Sequence, residues 1–127
     1  MSALIQTTDL QRTFTVSAGL FKAKKTLHAV NGVDLSVNRS DVLGVVGESG
    51  CGKSTLARML LGLTPPTRGS VQIDGQDISK IDRRELARRV QPIFQDPYSS
   101  LNPRRSIASI VSFPLDVLNI GTAAERK

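Results

Sequence analysis

Gly47, Glu48, Ser49, Gly50, Cys51, Gly52, Lys53, Ser54 and Thr55 form an unbroken stretch whose residue types and spacing fit a polyphosphate. They spell G-x-x-x-x-G-K-S followed by threonine. Glycines at 47, 50 and 52 remove the Cβ atoms that would keep a backbone from wrapping round a phosphate. The N–H groups of residues 50–55 can then converge on the anion, helped by the positive end of the dipole of a following helix. Lys53 has the reach to neutralise β- and γ-phosphates, and the Ser54 hydroxyl can complete the shell of a Mg²⁺. The pattern predicts nucleotide binding. The plainer alternative is a glycine-rich turn with an incidental lysine. Cys51, the sole cysteine, reads as a small loop residue whose side chain does no chemistry.

A phosphate loop needs a strand to hold it and a helix that points at the anion. Residues 42–46 are a short continuous apolar run, which predicts a strand buried on both faces. After the loop, Leu56, Met59, Leu60 and Leu63 fall on one side of a helix, with Gly62 placed as its stop. Residues 4–10 and 28–37 read as partly alternating strands joined by a basic, glycine-containing connection at 17–25. Residues 64–69 form a turn. Val71, Gln72 and Ile73 followed by Asp74 and Gly75 signal a hairpin. Asp82 and Glu85 make a D-x-x-E helix start, stapled by Ile81 and Leu86, for a short helix over 83–89.

The next strand is predicted at 90–94, at an edge or beginning after Pro92. Residues 95–103 are dense in turn formers. A last amphipathic helix opens near Ser106, carries Ile107, Ile110 and Val111, and is interrupted by Pro114. The expected fold class is α/β, with an antiparallel portion built from residues 4–37 and 70–78. No internal repeat or low-complexity tract occurs.

The 127 residues suffice for one small domain or part of a larger one. Hydrophobic residues at 39% and charged residues at 22% fit a globular chain. No apolar run approaches the roughly 18–20 residues of a membrane span, and the N-terminus lacks the layout of a secretion signal. A single cysteine forbids an internal disulfide and suits a reducing cytosol. The net charge of +6 raises nucleic acid or anionic lipid as partners. The basic residues are dispersed, however, and aromatics at 4% supply a poor base-stacking platform. No nucleic-acid partner is expected.

Residues 90–104 contain F-Q-D-P-Y-S-S-L-N-P-R and are similar to the Q-loop of ATP-binding-cassette (ABC) ATPases of the oligopeptide, dipeptide, nickel and glutathione importers. The stretch from Gly19, Leu20 and Phe21 through residues 27–33 resembles the insert and second strand of the same subgroup. The resemblance runs from about residue 4 to residue 120. It implies a P-loop NTPase fold of ABC type, with residues 1–94 as the N-terminal part of the ATP-binding core. Residues 95–127 would hold the Q-loop and the start of a helical subdomain.

The resemblance also implies ATP and Mg²⁺ as cofactors, with Ser54 and Gln95 near the metal. Gln95 would further approach the attacking water, which is a catalytic role. Phe14 takes the position of the aromatic that stacks on adenine; a plain core phenylalanine is its rival. Tyr98, Asn102, Pro103 and Arg104 would shape the coupling loop. The implied partners are inner-membrane permease subunits and a second ATP-binding subunit, in a homo- or heterodimer. The implied location is the cytoplasmic face of the membrane, without a span.

Some features depart from the family pattern. Ser40 and Asp41 stand where Gly-Glu is usual, and Phe113, Pro114 and Leu115 where the subgroup has Glu-Pro-Leu. After Gln95 there is no L-S-G-G-Q signature, no apolar strand ending in Asp-Glu and no switch histidine, since His28 lies upstream. Asp74, Asp96 and Asp116 do not end buried apolar strands. The chain therefore looks like the N-terminal half of an ABC ATPase domain, a fragment or a truncated frame. Three functions are weighed: an ATP-hydrolysing subunit of a peptide-type importer, a nucleotide-binding remnant without turnover, and a small P-loop kinase. The segment 95–104 argues against the kinase.

Overall fold

Alternation along the first third of the chain produces a long hairpin. In the computed structural model, which describes residues 3–16, 24–96 and 98–126, β1 (Ile5–Val16) pairs antiparallel with β2 (Lys25–Val37). Ile5 stands opposite Val37 and Val16 opposite Lys25. The other edge of β1 takes β3 (Arg68–Ile73), with Ile5 facing Ile73 and Thr7 facing Val71. β3 folds back into the short β4 (Gln76–Asp77). Asp74 and Gly75 make that turn at φ 49° and 74°, the left-handed geometry that a two-residue hairpin loop requires. The sheet order is β2-β1-β3-β4, antiparallel throughout.

The β1–β2 ladder slips in register between Thr7 and Leu10. A slip strands backbone polar groups, and the buried Thr7 hydroxyl restores them. It donates to Val33 O at 2.9 Å and accepts from Leu35 N at 2.9 Å. On the β3 side, Gly69 is needed because an added Cβ would lie 2.2 Å from Asp9 O and 2.4 Å from Thr8 O.

The helices cover the apolar side of this sheet. α1 (Lys53–Leu60) contributes Leu56 and Met59, and α2 (Arg83–Arg89) contributes Leu86. These join Leu10, Val30, Val71, Ile73, Ile78 and Ile81 in one core. Gly62 at φ 67° stops α1, as expected, while Leu63 lies beyond the stop and is exposed. Asp82 caps α2 by accepting from Arg84 N, and its flanking Ile81 and Leu86 are both buried. Between β4 and α2 runs a single 3₁₀ turn, Ile78–Lys80. Asp77 caps it, accepting from Ser79 Oγ at 2.6 Å and Ser79 N at 2.8 Å. Those bonds, the hydroxyl's first, hold the Asp77 carboxyl below its ordinary range. Its contribution to stability is therefore present above that range and is lost on acidification below it.

The chain divides into two units, Met1–Val90 and Gln91–Lys127. In the second, α3 (Ile107–Leu118) is capped by the Ser106 hydroxyl. It runs through Pro114 without a break, contrary to the interruption expected there. A proline removes only its own N–H from the ladder, and the flanking turns here retain helical geometry.

Two strands anticipated from the sequence are not formed. Residues 42–46 and 90–94 have no ladder partner among the described residues. Val42 is 98% exposed, Val46 94% and Ile93 fully. An apolar run becomes a buried strand only when neighbouring strands take up its N–H and C=O groups, and all four strands of this sheet lie elsewhere in the sequence. The basic connection at 17–23, with the Gly19-Leu20-Phe21 step, lies outside the described residues, as does Pro97. Lys24 is exposed and Lys25 opens β2.

Met59, 1% exposed, fills the space between α1 and the sheet. Met59→Ala should cost about 2–5 kcal/mol by leaving a cavity. The shift in a urea unfolding midpoint measures it.

Candidate functional site

The glycine loop ends where α1 begins, and Gly52 is the joint. It caps α1 at φ 103° and ψ 0°, with no side chain satisfying the helix N-terminus. The first backbone bond into the helix runs from Leu56 N to Gly52 O at 2.9 Å. The N–H groups of Lys53, Ser54 and Thr55 precede that bond and have no partner within the helix. A Cβ at Gly52 would sit 2.0 Å from Ala29 O, so the loop backbone touches the backbone of β2 directly. Gly50 is at φ 82° and faces open space. At Gly47 a Cβ would come 2.7 Å from Cys51 Sγ. These glycines meet a steric and conformational requirement, as the motif predicts.

Lys53 turns back along its own loop. Its ammonium donates to Gly47 O at 2.7 Å and Glu48 O at 2.6 Å, with Cys51 Sγ at 3.6 Å. The positive charge is thereby held at the mouth of the loop. Ser54 and Thr55 follow it on the first turn of α1.

A cleft of about 450 Å³ opens beside the loop, lined by residues 49–55 together with Phe14, Leu27, His28 and Ala29. Gly47 and Glu48 belong to the loop but do not line the cleft. The fold thus brings Phe14, far away in sequence, to the same cavity as Lys53 and Ser54. Phe14 is 37% exposed and stands opposite Leu27 in the β1–β2 ladder. The Arg12 guanidinium lies 4.7 Å from the Phe14 ring centroid. Leu27, His28 and Ala29 were not singled out from the sequence as site residues. Their signal was the hairpin register, which places Leu27 across from Phe14.

Gln95 belongs to the second unit, where it is exposed. The turn after it is organised by Asp96, whose carboxylate accepts from Tyr98 N at 3.0 Å and Ser99 N at 3.3 Å. Bonds to Ser99, its backbone N–H foremost, hold the Asp96 carboxyl below its ordinary range. Asn102 Oδ1 accepts from Arg104 N at 3.0 Å in the next turn. Tyr98 is 86% exposed.

The arrangement suits a polyphosphate: free N–H groups at a helix start, a cation, and a backbone without side chains in the way. Among the described residues no group of three or more His, Cys, Asp or Glu could hold a metal ion. The Ser54 hydroxyl, on the first turn of α1, is a hard oxygen donor of the chemical type that Mg²⁺ accepts.

Residues 30–126 match the family model described as ABC transporter. The chain is 45% identical to the di/tripeptide transport ATP-binding protein of Pseudomonas aeruginosa (strain UCBPP-PA14), over 100% of this chain and 40% of that protein. It is 40% identical to an oligopeptide transport ATP-binding protein of Bacillus subtilis (strain 168), over 97% of this chain and 39% of that one. Among solved structures, it is similar to an ATP-binding cassette in a dimeric post-hydrolysis state bound to ADP and Pi. The TM-score is 0.73 at 25% identity, covering 96% of this chain and 52% of that chain. The chain thus spans about two fifths of the length of the curated relatives.

Gly52→Ala combines a clash with the Ala29 carbonyl and a backbone that L-residues avoid. It should lower affinity for inorganic tripolyphosphate by about tenfold or more. Titration calorimetry on the purified chain reads this directly.

Proposed function

The chain belongs to the ABC transporter family, and from that footing we propose that it is the ATP-binding part of a peptide-type ABC importer. Support for ATP comes from one observation above all: Phe14, Lys53, Ser54 and the helix N-terminus line a single cleft. Support for peptide import comes from relatives whose names are those of di/tripeptide and oligopeptide transport ATP-binding proteins. The partners on this reading are permease subunits in the membrane and a second ATP-binding subunit, since the similar cassette was solved as a dimer. The chain would sit peripherally at the cytoplasmic face. No helix among the described residues is long and apolar enough to cross a membrane.

In this reading the N–H groups at residues 50–55 cradle the β-phosphate, and Lys53 exchanges its bonds to Gly47 O and Glu48 O for phosphate oxygens. The Ser54 hydroxyl would hold a Mg²⁺, which would supply charge neutralisation for phosphoryl transfer. Phe14 would cover the purine face, and the role of Gln95 in orienting an attacking water rests on the family resemblance of its loop. Phosphoryl transfer depends on positioned charge and a positioned water. Of the residues named, Lys53 and Ser54 bear on the first and Gln95 on the second.

Lys53→Ala should lower ATP affinity about tenfold or more, because charge-assisted bonds to phosphate are each worth roughly 1.5–3 kcal/mol. Equal affinity of the variant in a nucleotide titration would refute the site. The purified 127-residue chain itself should bind ATP and release no phosphate above background, with Lys53→Ala as the control for contaminating ATPases. Turnover that disappears in that control would show that these residues suffice for hydrolysis.

A further inference from the structure

Phe14 has two faces, and one of them is engaged within the chain. The Arg12 guanidinium carbon lies 4.7 Å from the ring centroid. Arg12 does not line the cleft that Phe14 lines with residues 49–55, so this contact is made outside the cleft lining. The guanidinium is itself held, since Arg12 Nη1 donates to Pro65 O at 2.9 Å, in the turn after α1. The neighbouring Thr13 N donates to Thr67 Oγ1 in the same turn, which fixes the strand against it. An isolated phenylalanine near a strand end would sample several χ1 wells. Here the ring is clamped on one side by a cation whose fork is tied to a backbone carbonyl.

The geometry points to Arg12 as a positioning residue for base recognition: it clamps one face of the Phe14 ring and leaves the opposite face to the base of a bound nucleotide. This rests on the reading of Phe14 as the base platform. A rigid platform needs less ordering when the base arrives, so the clamp raises affinity for the nucleoside portion and not for the phosphates. Arg12 acts only through Phe14. Its effect should therefore vanish when the ring is removed.

The test is a double-mutant cycle on the purified chain, with ATP and inorganic tripolyphosphate titrated against each protein. Arg12→Ala should weaken ATP by about two- to fivefold and leave tripolyphosphate affinity unchanged. Phe14→Ala should weaken ATP by about fivefold or more, again sparing tripolyphosphate. In the Phe14→Ala background, Arg12→Ala should have no further effect. Arg12→Gln, which keeps part of the stem without charge, gives the same readout should the alanine variant fail to fold. Equal losses of ATP affinity from Arg12→Ala in both backgrounds would overturn the inference. So would a loss of tripolyphosphate binding by the folded Gln variant. If Phe14→Ala weakens ATP while both Arg12 variants bind normally, only the clamp is refuted. If Phe14→Ala binds ATP like the parent, the base-platform reading fails and the clamp with it.

Discussion

The site depends on a contact between two backbones. Gly52 lies so close to Ala29 O that no side chain fits between them, and this fixes the phosphate loop to β2. β2 is fixed in turn by β1, whose register is secured at its slip by the Thr7 hydroxyl. The same β1 carries Phe14. The distance from aromatic ring to lysine is therefore set by one hairpin and one glycine contact. A slip of one residue in that hairpin would turn the cleft-facing side chains to the opposite face.

Charge contributes differently at the site and around it. Ion pairs Arg68–Asp9 and Arg39–Asp74 link neighbouring segments at the surface, and Arg89–Glu85 spans one turn within α2. Exposed pairs of this kind contribute on the order of 0–1 kcal/mol each. They leave the stability of the first unit to its apolar core, where Leu10, Met59, Val71 and Ile73 are almost wholly enclosed. Asp77, Asp82 and Ser106 do more local work, because each satisfies a helix N–H that would otherwise have no partner.

Local chemistry was legible in the sequence wherever one or two residues decide the backbone. The Asp74–Gly75 turn, the Asp82 cap, the Gly62 stop and the glycines of the phosphate loop all follow from φ preferences or short-range hydrogen bonds. Residues 42–46 and 90–94 were misread for the opposite reason. Their apolar composition states a preference for burial but carries no record of which strands would pair with them. Pro114 shows that a breaker is overruled when the flanking turns are intact. Leu27 and Ala29 entered the cleft through strand register, and Arg12 reaches the Phe14 ring without lining the cleft; neither is visible before the hairpin is aligned. Family membership, by contrast, was readable from residues 47–55 and 90–104 alone, because those motifs record chemistry and not packing.

The Lys53 bonds to Gly47 O and Glu48 O have a consequence for the kinetics of the loop. They close a small ring that runs from the lysine side chain back through the backbone, so the ammonium serves as a drawstring. On the proposed reading, an incoming anion would meet a loop already cinched into shape and take over these bonds one at a time. Departure would retrace the same exchange, with the carbonyls placed to recapture the lysine as each phosphate oxygen lets go. Such stepwise handover avoids a bare ammonium at any stage, and a desolvated, unpaired cation is the costly species in any such exchange. On that reading, release of an anion would not have to wait for the loop to unfold.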